Sequence, residues 1–210
     1  MRATALLTAM ERPLGQAVGN AIEVREAVQC LQGGGPADLR EVTLALAEES
    51  VAAVREQPGA DPADVRAELE SMLDDGRALD RFARLVERQG GDPAVCDGCD
   101  VLPRAPVSVT WESPEDGFIT RSDAYEIGVA AVQLGAGRCK IDDEVDPAVG
   151  IELRVRRGDP VQKGQAVAAV HARSEEAAQR ALARLRSAYE FGPGAPEEMP
   201  LVWRRVTGER

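Results

Sequence analysis

Few stretches of this chain carry residues whose types and spacing could do chemistry. Cys96-Asp97-Gly98-Cys99 is a C-x-x-C pair, the spacing of half a zinc site or of a redox dithiol. His171 is the one histidine and closes an apolar run that begins at Ala166, so a general base is conceivable there. Lys163 lies in a hairpin-like run, Gly158-Asp159-Pro160-Val161-Gln162-Lys163-Gly164-Gln165, of the kind that could present a modified lysine. The fourth stretch runs from Thr8 to Glu26. An apolar run, Ala5-Leu6-Leu7, enters it. Pro13-Leu14-Gly15 and Gly19-Asn20 punctuate it, and it leaves as a helix with Val24, Ala27, Val28 and Leu31 on one face. Strand, glycine-bearing loop and helix in that order form the usual place for a site in an α/β protein, beyond the carboxyl end of a strand.

Most of these have a plainer reading. A structural zinc takes four ligands, and no second pair accompanies Cys96 and Cys99; Cys30 and Cys139 stand far off in sequence. No strand of a βαβ unit leads into the pair, so the thiols are read as incidental. His171 reads as a structural residue at a strand end, because neither a nucleophile nor an orienting carboxylate is recognisable beside it. Lys163 occupies the wrong hairpin for a carrier lysine, and Lys140 lacks the flanking Met or Asp. The short acidic runs, Glu48-Glu49, Glu115-Asp116, Asp142-Asp143-Glu144 and Glu175-Glu176, read as solvated faces or helix N-termini.

The elements that must position these residues follow from periodicity and punctuation. Residues 2–8 read as a core strand and 22–31 as a helix stopped by Gly33-Gly34-Gly35. Leu39, Val42, Leu46 and Ala53 fall on one face of a long helix over 37–56, which Pro58-Gly59 breaks. Asp61 caps the next helix with Pro62 at its first position, and Val65, Leu69, Met72 and Leu73 form its stripe. Leu79, Phe82 and Val86 stripe another that ends at Gly90-Gly91. Residues 92–105 read as a loop or linker. Strands dominate after it, at 107–111, 118–120, 151–155 and 166–171. A helix starting at Ser122 or Asp123 turns Ile127, Ala130, Ala131 and Leu134 inward. Another runs from a Ser174 cap to about Tyr189, and Leu201-Val202-Trp203 reads as a closing strand. Two layers of grammar, α/β and then α+β, are the fold class expected.

The totals bound the rest. The chain has 210 residues, 44% hydrophobic and 29% charged, a globular composition. A net charge of -11 argues against nucleic acid as partner, since a phosphate backbone calls for a basic face. No apolar run reaches the roughly 18 residues of a membrane span, and Met1-Arg2-Ala3-Thr4 opens no signal peptide, so the expected setting is cytoplasmic, with reduced thiols.

The Thr8–Glu26 stretch also resembles the Thr-Asp-Met-x-x-Pro-Leu-Gly-x-x-Val-Gly-Asn-Ala-x-Glu-Val-x-Glu-Ala segment of bacterial thymidine and pyrimidine-nucleoside phosphorylases, with Ala9 where the pattern has Asp. A second block continues in that family's order: Gly117 to Asp123, Leu134-Gly135-Ala136-Gly137-Arg138, Asp146 to Leu153, Gly158 to Gln165, Val170-His171-Ala172 and Pro200 to Val206. The resemblance implies part of a mixed α/β phosphorylase domain over 1–95, a linker over 96–105 and the compact α+β C-terminal domain over 106–210. It implies a pentosyltransferase that phosphorolyses thymidine or other pyrimidine nucleosides to free base and pentose 1-phosphate, as a homodimer and without an organic cofactor. The family's phosphate loop and base-gripping cluster match nothing in this sequence, so no catalytic or substrate-binding residue is carried over. The chain is expected to correspond to the C-terminal portion and to be inactive alone. What is carried over is a potassium site, with the backbone carbonyls of Leu14 and Ala17 and the carboxylate of Glu26 as this chain's ligands. The alternative is a binding or scaffolding module that keeps the fold without the chemistry.

Overall fold

The computed structural model describes residues 3–55 and 62–208; the expectations for Arg2, Pro58-Gly59 and the Asp61 cap fall outside them. In chain order the elements are β1 (Ala3–Thr8), β2 (Ala17–Gly19), α1 (Ala21–Leu31), α2 (Ala37–Arg55), α3 (Pro62–Asp74), α4 (Arg77–Arg88), β3 (Val107–Glu112), β4 (Gly117–Ser122), α5 (Ala124–Ala131), β5 (Gly150–Leu153), β6 (Pro160–Val161), β7 (Ala166–Ala172), α6 (Glu175–Ser187), β8 (Tyr189–Gly192) and β9 (Val202–Gly208). This is a mixed helix and antiparallel-sheet protein, as the α/β and α+β grammar indicates. None of the described helices is long and apolar enough to cross a membrane.

The chain gathers into two compact units that interleave in sequence. One takes 1–9, 27–99 and 199–210; the other takes 10–26 and 100–198. The linker expected over 96–105 is partly ordered into short 3-10 turns at Pro93–Cys96 and Cys99–Val101. The Asp92 side chain accepts from the Ala94 N–H, and Val95 and Cys96 are buried, while most of 97–105 is exposed.

In the first unit, α2, α3 and α4 follow one another and β1 pairs antiparallel with β9 as a two-stranded sheet. Two expectations are corrected here. β1 is not a core strand: Ala3, Thr4, Ala5 and Leu7 are exposed. In α2 Val42 and Leu44 are both buried although, two residues apart, they lie on different sides of the helix, while Leu46 and Ala53 are exposed. Periodicity located the helix but not which side its neighbours cover. Gly33-Gly34-Gly35 does end α1, with the Gly34 N–H on the Gln29 carbonyl at 2.9 Å and Gly33 at φ 83°.

Helices α2 and α3 are joined by Arg66, whose guanidinium donates to Glu41 at 2.5 Å, Glu48 at 3.0 Å and Glu70 at 2.9 Å. The Arg66 hydrogen bond holds the Glu41 carboxyl below its ordinary value of 4.5. A carboxyl depressed in the folded state adds stability that is present above its unfolded pKa and is lost as pH falls through its folded one. Helix content should therefore drop from about pH 4.5 downward in circular dichroism at 222 nm, and Arg66→Met should flatten that dependence. These side chains are partly exposed, so the loss at neutral pH should be only about 1 kcal/mol. An unchanged acid profile in the variant would count against the clamp.

The second unit holds the larger core. Its four-stranded sheet runs β2-β5-β7-β3 and its three-stranded sheet β6-β4-β8, all pairings antiparallel. Ile119, Ile127, Val149, Ile151, Val167, Val170, Leu182 and Leu185 are buried together, and the expected inward residues Ile127, Ala130, Ala131 and Leu134 all reach this core. Asp123 caps α5 by accepting from the Glu126 N–H at 2.9 Å; Ser174 caps α6 by accepting from Ala177 at 3.2 Å. Helix α6 stops at Ser187, short of the expected end, because Tyr189 opens β8. There its ring packs edge-on against Trp111, centroids 5.2 Å apart. The closing strand predicted around Trp203 forms as β9, but it pairs with β1 and lies in the first unit.

Candidate functional site

The Thr8–Glu26 stretch is built around one carboxylate. The backbone bends over 14–16, with Gly15 at φ 72°, and returns toward α1. Glu26 projects from the second turn of that helix and is only 9% exposed. Its Oε1 accepts from the Gln16 N–H at 2.7 Å and the Ala17 N–H at 3.1 Å. A Cβ on residue 15 would stand 2.2 Å from Oε2, so glycine is required twice over, by conformation and by room. A buried carboxylate collecting backbone N–H groups is a charge-assisted arrangement that fixes loop shape. Leu14, Ala17 and Glu26 are the group expected from the sequence. The structure brings Ala17 and Glu26 into direct contact, with Leu14 one residue before the glycine that touches the carboxylate.

The remainder of the stretch is fastened to distant sequence. Residues Ala17–Gly19, anticipated only as loop, form β2 against β5, with Ala17 opposite Glu152 and Gly19 opposite Gly150. A side chain on Gly19 would meet the Val149 carbonyl at 2.8 Å, which explains the second glycine. The Gly19 N–H donates to Glu23 at 2.8 Å. The Asn20 side chain donates to the Ala136 carbonyl at 2.8 Å, and the Ala21 N–H to the Pro147 carbonyl at 3.0 Å. Gly15, Gly19, Asn20, Glu23 and Glu26 thus each have a definite mechanical task.

A second place gathers polar groups. Glu152 on β5 and His171 on β7 point to the same side of the sheet, since Gly150 lies opposite His171 and Glu152 opposite Ala169. His171 Nε2 stands 3.6 Å from Glu152 Oε2, ion-pair range but beyond a hydrogen bond. With Ile22, Arg25, Arg104 and Ala148 they line a cavity of about 300 Å³. The lining offers two guanidiniums and one carboxylate, so it can accept polar groups of either sign. No carboxylate near His171 was recognisable in the sequence. The signal was the alternation of two strands, readable only once their register is known.

The remaining candidates come together less. Cys96 is buried and its thiol is pushed above the ordinary value, chiefly by desolvation, while Cys99 donates to the Val95 carbonyl at 3.7 Å. No disulfide joins any of the four cysteines, and among the described residues no group of three or more His, Cys, Asp or Glu is placed to hold a metal ion. Lys163 donates its backbone N–H to Asp116 at 2.8 Å within a surface turn.

Comparison with known proteins bears on both blocks. A family model described as the pyrimidine nucleoside phosphorylase C-terminal domain matches residues 118–192. The chain is 42% identical over 171 residues to a pyrimidine-nucleoside phosphorylase of Bacillus subtilis, covering 81% of this chain and 39% of that protein. It is 38% identical over 172 residues to the one from Staphylococcus epidermidis and 37% identical over 172 residues to one from Staphylococcus aureus. In each case 82% of this chain and 39% of the relative are covered. The chain therefore spans about two-fifths of the length of these curated relatives.

Proposed function

The chain belongs to the pyrimidine-nucleoside phosphorylase family through its C-terminal-type region, and on that premise we propose that it serves the phosphorolysis of thymidine or other pyrimidine nucleosides in the cytoplasm. In that reaction the bond from the pentose C1′ to the base nitrogen breaks and a bond from C1′ to a phosphate oxygen forms. The base leaves with a proton and the sugar as its 1-phosphate. The observation that carries this reading is that two blocks of family-like sequence, about a hundred residues apart, fold as one piece. The 10–26 stretch is hydrogen-bonded through β2, Asn20 and Ala21 to the domain matched over 118–192.

The share of this chain in the reaction is to hold shape. Phosphate binding calls for N–H groups at a helix start, with positive charge. Among the described residues, Gly33 and Gly135, both at positive φ, follow the ends of α1 and α5, where the helix dipole repels anions. The 210 residues alone should therefore release thymine from thymidine and phosphate no faster than buffer, followed by ultraviolet absorbance; robust turnover would overturn that part. Exchanging the matched region of the Bacillus subtilis relative for this chain tests the larger claim. The fused protein should phosphorolyse thymidine, and a well-folded but inert fusion would sink the reading. Sedimentation of the active fusion should show the homodimer that the family resemblance implies.

The same reading includes a potassium ion held by the Leu14 and Ala17 carbonyls and the Glu26 carboxylate. Hard oxygen ligands suit that ion, and the buried Glu26 carboxylate is one such ligand beside the loop, but the groups of Gln16 and Ala17 that face it are N–H donors, so the loop carbonyls would have to turn toward the ion. Bound, the ion would neutralise the carboxylate and tie it to the loop. Melting in potassium chloride should exceed melting in choline chloride at equal ionic strength, and Glu26→Gln should remove the difference. Equal melting in both salts for the unaltered chain would exclude the site at the concentrations used.

A further inference from the structure

We propose that the cavity between α1, the 103–105 segment and the outer face of the four-stranded sheet binds a small organic phosphate that also carries hydroxyl groups, of which a sugar monophosphate is the simplest kind. The proposal stands on the geometry of the second unit and does not depend on the phosphorolysis reading.

The cavity follows from how that sheet is covered. Ile151 and Val170 face the core, so their sequence neighbours Glu152 and His171 face the other way. Ser108, opposite His171 on β3, and Thr110 share this outer face and are exposed, so the face is covered only in part. What covers it near His171 is the start of α1. A Cβ on Gly150, the residue opposite His171, would stand 2.7 Å from Ile22 Cδ1, so glycine there lets the helix settle directly on the strand. Arg25 follows Ile22 by three positions and shares its side of α1. Pro103, Arg104 and Ala105 supply a further wall, and about 300 Å³ remains between them. That volume is at the low end for ligand pockets, which calls for a small molecule.

The charges in the lining are unevenly matched, and the mismatch identifies the ligand. Glu152 has two basic neighbours, His171 Nε2 and Arg154 Nη2, each at 3.6 Å. Arg104 pairs with Asp100. Arg25 is half-buried and, among the described residues, has no ion-pair partner, although Glu152 lines the same cavity. A guanidinium drawn partly out of water calls for an anion, and its fork of donors suits phosphate or carboxylate oxygens. A phosphate monoester brings three acceptor oxygens, enough for Arg25 and Arg104 together, where a carboxylate brings two. The other end of the ligand must suit Glu152, which only accepts hydrogen bonds and repels a second anion. Arg154 and His171 already supply positive charge beside it, so a hydroxyl is a better complement than an amine. Ile22, Ala105 and Ala148 offer apolar contact to the C–H surface of a sugar.

His171 is the only histidine in the sequence, so its Cε1–H proton resonance reports on this cavity unambiguously. The test titrates ribose 5-phosphate into the 210-residue chain at constant pH and ionic strength. The expected result is a saturating displacement of that resonance, half complete at about 1 mM or below, with ribose and inorganic phosphate each binding about tenfold more weakly. Arg25→Met should weaken ribose 5-phosphate about tenfold with unchanged circular dichroism. Arg104→Met, on an exposed segment, carries the same direction of effect and serves if the first variant does not fold. Glu152→Gln should narrow the preference for ribose 5-phosphate over inorganic phosphate. A resonance that does not move up to roughly 10 mM ligand would overturn the proposal. So would undiminished binding by a folded Arg25→Met or Arg104→Met protein, or an unchanged preference in Glu152→Gln. Inorganic phosphate or malate binding as tightly as ribose 5-phosphate would overturn it as well, the first as a bare anion site and the second as a carboxylate site.

Discussion

Gly15→Ala should be the most damaging single methyl in the 10–26 stretch, lowering stability by on the order of 3 kcal/mol or more. Two costs coincide. A non-glycine residue held at φ 72° pays about 1–3 kcal/mol. The new Cβ would also lie 2.2 Å from Glu26 Oε2 and 2.9 Å from its Cδ, so the carboxylate must leave the Gln16 and Ala17 amides. Each hydrogen bond to a charged group is worth about 1.5–3 kcal/mol. Gly158→Ala supplies the comparison: its φ is 97°, and an added Cβ would meet nothing within 4 Å, so only the backbone cost applies. The chain has two tryptophans, Trp111 in the second unit and Trp203 in the first. In a Trp203→Phe background, urea unfolding followed by Trp111 fluorescence reads the second unit alone. If the two alanine variants are equally stable, the Glu26 contact does not hold the loop.

Leu185→Ala should cost about 2–5 kcal/mol in the same assay, because the side chain is fully buried on α6 and its removal leaves a cavity that the surrounding elements cannot fill. Alanines at 130, 131, 178 and 181 already line that core, leaving few flexible side chains to relax inward. Leu46→Ala on α2 makes the contrast. Periodicity places Leu46 on a buried face, yet it is 50% exposed, and its truncation should change helix melting by no more than about 0.5 kcal/mol. A large effect at Leu46, or a negligible one at Leu185, would contradict this assignment of the core.

Local rules and tertiary rules divide this protein cleanly. Helices and their ends were legible because they depend on neighbours in sequence: Ser174 and Asp123 as caps, Gly33-Gly34-Gly35 as a stop, and Ile127, Ala130, Ala131 and Leu134 as one stripe. The motif from Pro13 to Glu26 and the later block were legible as a family signature, since residue types are forced wherever backbone approaches carboxylate or backbone, as at Gly15 and Gly19. Partners were not legible. That β9 joins β1, that residues 17–19 become a strand beside β5, that Glu152 faces His171, and that Leu44 is buried in place of Leu46 all turn on contacts between residues far apart in sequence. A strand's own pattern states which of its residues share a face, but only the neighbouring strand or helix decides whether that face meets protein or water.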